Sequence, residues 1–179
     1  MMLVALAIRL NSPGPVLFRH KRVGRGGRLF NFVKFRTLYH DARQRFPELY
    51  QYQYTPEEIE ALAFKVPNDP RVTSIGEWLR RTTLDELPNF WNVVTGDMAL
   101  VGPRPEIPEM LPYYRDEHLI KFSVPPGVTG LAQISGRGRR RFLETARLDA
   151  DYAANRSLRL DLRILARTIS LVLRQDGAF

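Results

Sequence analysis

The sequence predicts an α+β fold: a small, mostly helical domain around a short β-hairpin or small mixed sheet, with amphipathic helices at its surface. Three observations carry this. Two runs rich in Val and Phe, residues 16–22 and 29–37, flank Gly24-Arg25-Gly26-Gly27, the pattern of a hairpin. The hydroxyl-x-x-Glu spacing that starts helices occurs at Thr55/Glu58, Ser74/Glu77 and Thr83/Glu86. Finally, Leu158, Leu162, Leu165, Ile169 and Val172 recur at spacings of four and three, one apolar stripe of a helix.

The elements follow in order. Met1 to Ile8 is an apolar run ending at Arg9, too short to span a bilayer. It reads either as a helix packed on the core or as the remainder of a longer membrane element. Asn11-Ser-Pro-Gly-Pro15 is a turn signal, and the hairpin follows. Its many bases also fit a solvated, edge-protecting strand pair. Thr55 with Pro56 and Glu58 starts a helix expected to reach about Lys65 and to stop before Pro67. Ser74 caps the next helix, which carries Arg80 and Arg81 near its C-terminal end. Asn89–Val94 is helical, Thr95-Gly96-Asp97 turns the chain, and Met98–Val101 is a short strand. The spacing predicts a helix over 108–122, then a rigid turn and short strand from Pro125, and the basic loop Gly136–Arg141.

Composition narrows the partners. The 179 residues suit one domain, and the net charge of +8 comes from 27 Lys and Arg, 23 of them arginine. That balance implies an anionic partner: nucleic acid, an anionic membrane surface or a phosphorylated substrate. With no Cys, disulfide and thiolate chemistry are excluded. His20, His40 and His118 are scattered and receive no role.

The densest chemistry lies between Asp69 and Glu106. Adjacent carboxylates Asp85 and Glu86 follow Thr82 and Thr83, with Arg80 and Arg81 upstream and Arg104 locked between Pro103 and Pro105. Guanidinium groups match the geometry of phosphate oxygens, so carboxylates flanked by arginines suggest a site for an anionic substrate. A plainer reading stands beside it: Glu86 as the reciprocal cap of a helix starting at Thr83, with Asp85 favoured by the helix dipole.

Several long blocks in fixed order make a stronger signal than any single motif. SPGPVLFRHKRVGRGGRLFNFVKFRTL, DPRVTSIGEWLRRTTLDELPNFWNVVTGDMALVGPRPE, PPGVTGLAQISGRGR and RLDADYAANRSLRLDLRILARTI together resemble the bacterial sugar transferases, the monotopic polyprenyl-phosphate phosphoglycosyl transferases. The resemblance covers nearly the whole chain from Ser12. It implies transfer of a sugar phosphate from a UDP-sugar to polyprenyl (undecaprenyl) phosphate with release of UMP, the first step of polysaccharide or glycoconjugate assembly. Asp85 matches the nucleophile, forming an aspartyl intermediate, and Glu86 matches a ligand of Mg2+, the implied cofactor. Lys34, Arg80 and Arg104 match the phosphate-holding bases, and Arg36 and Arg137 are expected to join them. The flanking arginines are expected to keep Asp85 ionised.

The resemblance also implies a membrane surface, on the cytoplasmic face of the bacterial inner membrane, with amphipathic helices at the interface. Residues 1–11 then read as the remnant of a re-entrant membrane helix, and 12–179 as the catalytic domain. Ser135 stands where the family more often has Asn, which leaves the sugar open. The alternatives are a catalytically silent relative and a basic nucleic-acid-binding module using the hairpin and Gly136–Arg141; no recognised nucleic-acid motif supports the latter, and no nucleic acid is expected. A homo-oligomer is left open.

Overall fold

A computed structural model describes residues 1–63, 66–136 and 140–174. Helix α1 (Met2–Asn11) leads into β1 (Leu17–Val23) and β2 (Leu29–Phe35), which pair antiparallel with Leu17 opposite Phe35 and Val23 opposite Leu29. The connector turns through Gly26 and Gly27, both at positive φ, where glycine is unstrained. After two short helical turns, α2 (Ala42–Arg45) and a 3-10 turn at Pro47–Tyr50, come α3 (Pro56–Ala61) and α4 (Ser74–Thr82).

The capping box at Thr55 and Glu58 forms as the spacing predicts. The helix it starts is shorter than expected, ending as Leu62 turns extended. Helix α4 is capped one residue early. Thr73, not Ser74, accepts from the Gly76 amide at 2.9 Å, because its own amide is held by the Thr37 carbonyl at 3.0 Å. Ser74 instead accepts from Asn11, which ties α1 to α4. Gly76 is required here: a Cβ would stand 2.0 Å from the Thr37 carbonyl oxygen.

Beyond α4 lie α5 (Asn89–Val94) and β3 (Ala99–Val101), which pairs parallel with β4 (Gly127–Thr129). The two ladders are separate two-stranded sheets, and an isolated antiparallel bridge between Val23 and Glu106 ties the end of β1 to the loop after β3. The helix expected over 108–122 is two 3-10 segments, Pro108–Tyr113 and Asp116–Ser123. Pro112 lacks the amide a continuous α-helix needs and crowds the preceding turn.

Helices α6 (Leu131–Ile134), α7 (Phe142–Ala154) and α8 (Leu158–Leu173) complete the chain. Helix α7 was not foreseen; its inner face is Phe142, Ala146, Asp149 and Ala150, too small and too polar to stand out as a stripe. Helix α8 divides its apolar residues between two faces, as an amphipathic surface helix does. Ile164 is the residue it buries, packed with Val101 and Tyr152, whereas Leu158, Leu162 and Ile169 of the predicted stripe are exposed.

Arg36, expected among the phosphate-binding bases, is used inside the fold instead. It is buried, and its guanidinium donates to the Pro15 carbonyl (2.6 Å), to the Ser12 hydroxyl (2.7 Å) and carbonyl (2.9 Å), and to the Leu38 carbonyl (3.4 Å). It staples the turn after α1 onto the end of β2. Arg36→Leu orphans these acceptors, with an expected loss of about 3 kcal/mol in urea denaturation, since hydrogen bonds to a charged group contribute about 1.5–3 kcal/mol.

Candidate active site

The Asp85–Glu86 pair sits in a 3-10 turn, Leu84–Glu86, between α4 and α5. The turn is forced by Thr83, which ends α4 in the left-handed region at φ 61°, ψ 11°. A β-branched residue at positive φ is a real outlier, and such strain gathers at functional turns. Thr83 makes no side-chain cap hydrogen bond, and the Glu86 carboxylate reaches Arg104, with Oε1 3.4 Å from Nη1. The helix-capping alternative for Glu86 therefore fails on geometry.

Three separate stretches bring positive charge to the turn. Strand β2 supplies Lys34, α4 supplies Arg80, and the Gly102–Glu106 loop supplies Arg104. Lys34 stands over the Phe18 ring at 5.8 Å, directly across the hairpin. Arg80 is oriented through its Nε, which donates to Thr37 Oγ1 at 3.0 Å. Asp69 Oδ2 lies 3.9 Å from Arg80 Nη1, and Asp69 is itself clamped in a two-pronged pair with Arg71 at 2.8 Å on each prong. The Arg104 loop is anchored through its main chain: Pro103 O accepts from Gly127 N–H at 2.8 Å, and Pro105 O from Arg22 Nη1 at 3.3 Å.

The electrostatics are those of a crowded, partly dry site. Burial pushes Asp85 up to about 6, against the pull of Lys34; Glu86 raises it further, and Arg80 and Arg104 lower it. Desolvation outweighs the cations together, and Lys34 pulls harder than either arginine; at about 6 the carboxyl is still mostly ionised at pH 7. Lys34 is pushed down to about 8 by burial, partly offset by Asp85. Arg104 is lowered by burial, but Glu86 and then Asp85 hold it above the ordinary guanidinium range. Its side chain nonetheless remains 48% exposed, so it is open to water.

Five of the seven residues expected at the site thus gather: Asp85, Glu86, Lys34, Arg80 and Arg104. Arg36 does not, and Arg137 lies outside the described residues. Sequence reasoning overlooked Asp69 and Thr37 as supports of Arg80; the Asp-Pro-Arg spacing at 69–71 was the available signal. A groove of about 640 Å³, lined by Leu17, Arg19, Lys21, Val33, Pro88 and Trp91 among others, contains none of the five. Its β1 and β2 residues are mostly those alternating with Lys34 and Phe18, so it opens on the other face of the hairpin.

Fold and geometry together define a class: a small α+β domain with a strained carboxylate turn, ringed by bases suited to a phosphorylated ligand. Comparison with known proteins gives the family. The family model for bacterial sugar transferases matches residues 1–175, and the chain belongs to that family. It is 42% identical over 166 residues, 93% of this chain, to a UDP-galactose-lipid carrier transferase of Erwinia amylovora, and covers 35% of that protein. It is 40% identical, over all of this chain and 64% of the relative, to the UDP-glucose:undecaprenyl-phosphate glucose-1-phosphate transferase of Caulobacter vibrioides. The exopolysaccharide production protein ExoY of Rhizobium meliloti is 34% identical over 99% of this chain and 79% of its own length. The chain thus spans about a third of the first of these relatives and more of the others.

The Asp85 shift has a consequence for stability. Its folded pKa of about 6 lies above the ordinary 3.8, so the folded chain holds this proton more tightly than the unfolded one. Stability therefore falls as pH rises from about 4 to about 6, by about 3 kcal/mol at most. Asp85→Asn removes that penalty. In urea denaturation the variant is expected to exceed the wild type at pH 8, the difference closing as pH drops to 4.

Proposed function

We propose that this chain transfers a sugar 1-phosphate from a UDP-sugar to polyprenyl phosphate through an intermediate on Asp85. The observation that carries the reading is the buried Asp85 carboxylate in a strained turn, with Lys34, Arg80 and Arg104 converging from three stretches. Relatives named for UDP-galactose and for UDP-glucose with undecaprenyl phosphate support the substrate class.

The chemistry follows from the charges. An Asp85 oxygen attacks the phosphorus that carries the sugar; the bond to the UMP oxygen breaks, and UMP leaves with that electron pair. The sugar phosphate is then held on Asp85 as an acyl phosphate, which divides one difficult displacement into two. A phosphate oxygen of the polyprenyl carrier attacks the same phosphorus, the bond to Asp85 breaks, and the free carboxylate returns. Anion repulsion opposes both attacks. Lys34, Arg80 and Arg104 offset it by fixed positive charge that needs no rearrangement.

Mg2+ fits the donors present. Asp85 and Glu86 offer hard oxygens on consecutive residues. That suits a cation whose shell is completed by substrate phosphates, with Glu86 as its protein ligand. When bound, it supplies charge neutralisation at the diphosphate.

We place the domain on a membrane surface, at the cytoplasmic face of the bacterial inner membrane. No helix among the described residues is long and apolar enough to cross a membrane. Three helices instead expose apolar side chains: Met2, Leu3 and Leu6 on α1, Phe90, Trp91 and Val94 on α5, and Leu158, Leu162, Ile169 and Leu173 on α8. Arg159, Arg163 and Arg167 of α8 are exposed beside that apolar set, a pairing suited to anionic headgroups.

UMP release from UDP-glucose and UDP-galactose, with undecaprenyl phosphate and Mg2+, tests the reaction. The expected result is Mg2+-dependent release, reduced by at least about a thousandfold in Asp85→Asn, which lacks the nucleophile. Since the nucleophile must be unprotonated, kcat/KM is expected to fall about tenfold per pH unit below about 6. Release that survives in Asp85→Asn rules out the covalent route. For the membrane, Leu162→Glu with Ile169→Glu is expected to cut co-flotation with phosphatidylglycerol vesicles by about tenfold. Both side chains are exposed, so the thermal midpoint is expected to hold.

A further inference from the structure

Behind the Arg104 loop lies a buried ionic cluster that the transfer chemistry does not touch. Lys121, in the turn Asp116–Ser123, is 3% exposed, and Asp149 of α7 is 0% exposed. The Lys121 ammonium sits 2.9 Å from Asp149 Oδ2 and 3.8 Å from Glu106 Oε2, and donates to Tyr114 Oη at 2.8 Å. Tyr114 Oη donates in turn to Glu106 Oε2 at 2.5 Å. Glu106, two residues after Arg104, is also bound on its other side: Oε1 accepts from Ile107 N–H at 3.0 Å, and its carbonyl from Val23 N–H at 2.8 Å. Burial raises the pKa of Asp149, against the pull of Lys121 and, more weakly, of the Arg104 main-chain N–H, and neither Asp149 oxygen closes a hydrogen bond of regular geometry.

The cluster reaches the site by charge as well as by chain. Burial lowers Arg22, whose guanidinium holds the Pro105 carbonyl, to about 10, and Glu106 pulls against that as it also helps hold Arg104 up. A buried ion pair of this kind adds little net stability over an apolar core, so stability alone is a weak account of it. What it does accomplish is to fix, from behind, the loop that presents Arg104.

We propose that Lys121, Asp149, Glu106 and Tyr114 are positioning residues, a buried brace that holds the Arg104 loop so that its guanidinium meets Glu86. The proposal rests on the transfer reading for its kinetic arm, but not for its structural one.

Tyr114→Phe is the cleanest probe, because the ring keeps its edge contacts with Phe142 and Phe122 at centroid distances of 5.0 and 5.3 Å. The variant is expected to lower kcat for UMP release about tenfold with KM within about twofold, the mark of an interaction realised in the transition state. In an Arg104→Ala background the same change is expected to cost less than about twofold, since the brace acts through Arg104. Hydrogen exchange at the amides of Arg104 and Glu106 is expected to quicken severalfold in Tyr114→Phe and again in Lys121→Met, while amides of α4 keep their rates. Equal losses of kcat in the two backgrounds, or unchanged exchange at both amides, overturn the proposal. If the wild-type chain transfers no sugar phosphate from any donor, the transfer reading fails and the exchange measurement alone decides the brace.

Discussion

Asp85 loses most of its water on folding, being 7% exposed, and a buried carboxylate resists ionisation unless positive charge is brought to it. Each base that answers this need arrives on a different element, and each element is held by its own device. Lys34 is carried by a strand whose edge is read by Asn92: Oδ1 accepts from Val33 N–H at 3.2 Å, and Nδ2 donates to Asn31 O at 2.8 Å. Arg80 depends on α4 lying against the Thr37 carbonyl, an approach that only Gly76 permits. Arg104 depends on a loop threaded between the hairpin and β4. Gly102 there is as constrained as Gly76, since a Cβ would stand 2.4 Å from the Pro125 carbonyl.

The charges so assembled do not balance one another. Lys34, Arg80 and Arg104 are three cations facing two carboxylates, and Arg80 and Arg104 are among the causes that lower Lys34. Bases held close together in a partly dry site repel, and an anion among them would relieve that repulsion. On the proposed reading, a bound diphosphate would therefore raise the pKa of Lys34 with no rearrangement of the three bases. This is preorganisation in the electrostatic sense: the unfavourable work is done during folding, not at the moment of reaction.

Much of this was legible beforehand, for reasons that can be named. Hairpin, capping box and carboxylate pair are local patterns, and local patterns survive into the structure. What sequence could not separate was two arginine-like roles two residues apart. Lys34 and Arg36 look equivalent in Phe-Val-Lys-Phe-Arg, yet Arg36 lies past the end of β2, where carbonyls from residues 12, 15 and 38 converge on its guanidinium. Nor could local pattern show the brace behind Arg104. Lys121 reads as an ordinary base between Ile120 and Phe122 until the fold closes it against Asp149, an acid on a helix whose alanines gave no stripe. The stripe of α8 was legible as an apolar face, but periodicity alone does not report whether protein covers it, and here most of it is exposed.

The segment from Arg80 to Pro88 is where the fold tolerates its least favourable local choices. Thr83 adopts a left-handed backbone that costs about 1–2 kcal/mol for a residue with a Cβ. Asp85, two residues on, is ionised against its surroundings. Neither is isolated from support. Leu79 and Leu84 on either side pack with Ile8 and Phe35, so α1 and β2 bury the flanks of the turn. The strained residues thus stand between apolar anchors that over-determine their conformation, the condition under which such strain persists. Relaxing the turn would let Thr83 and Asp85 regain their ordinary states, and would at the same time withdraw the carboxylate from the three bases. The instability and the convergence of charge are therefore one feature: a turn that ionised Asp85 without cost would be one in which water had free access to it, and on the proposed reading that water would stand where the phosphate must.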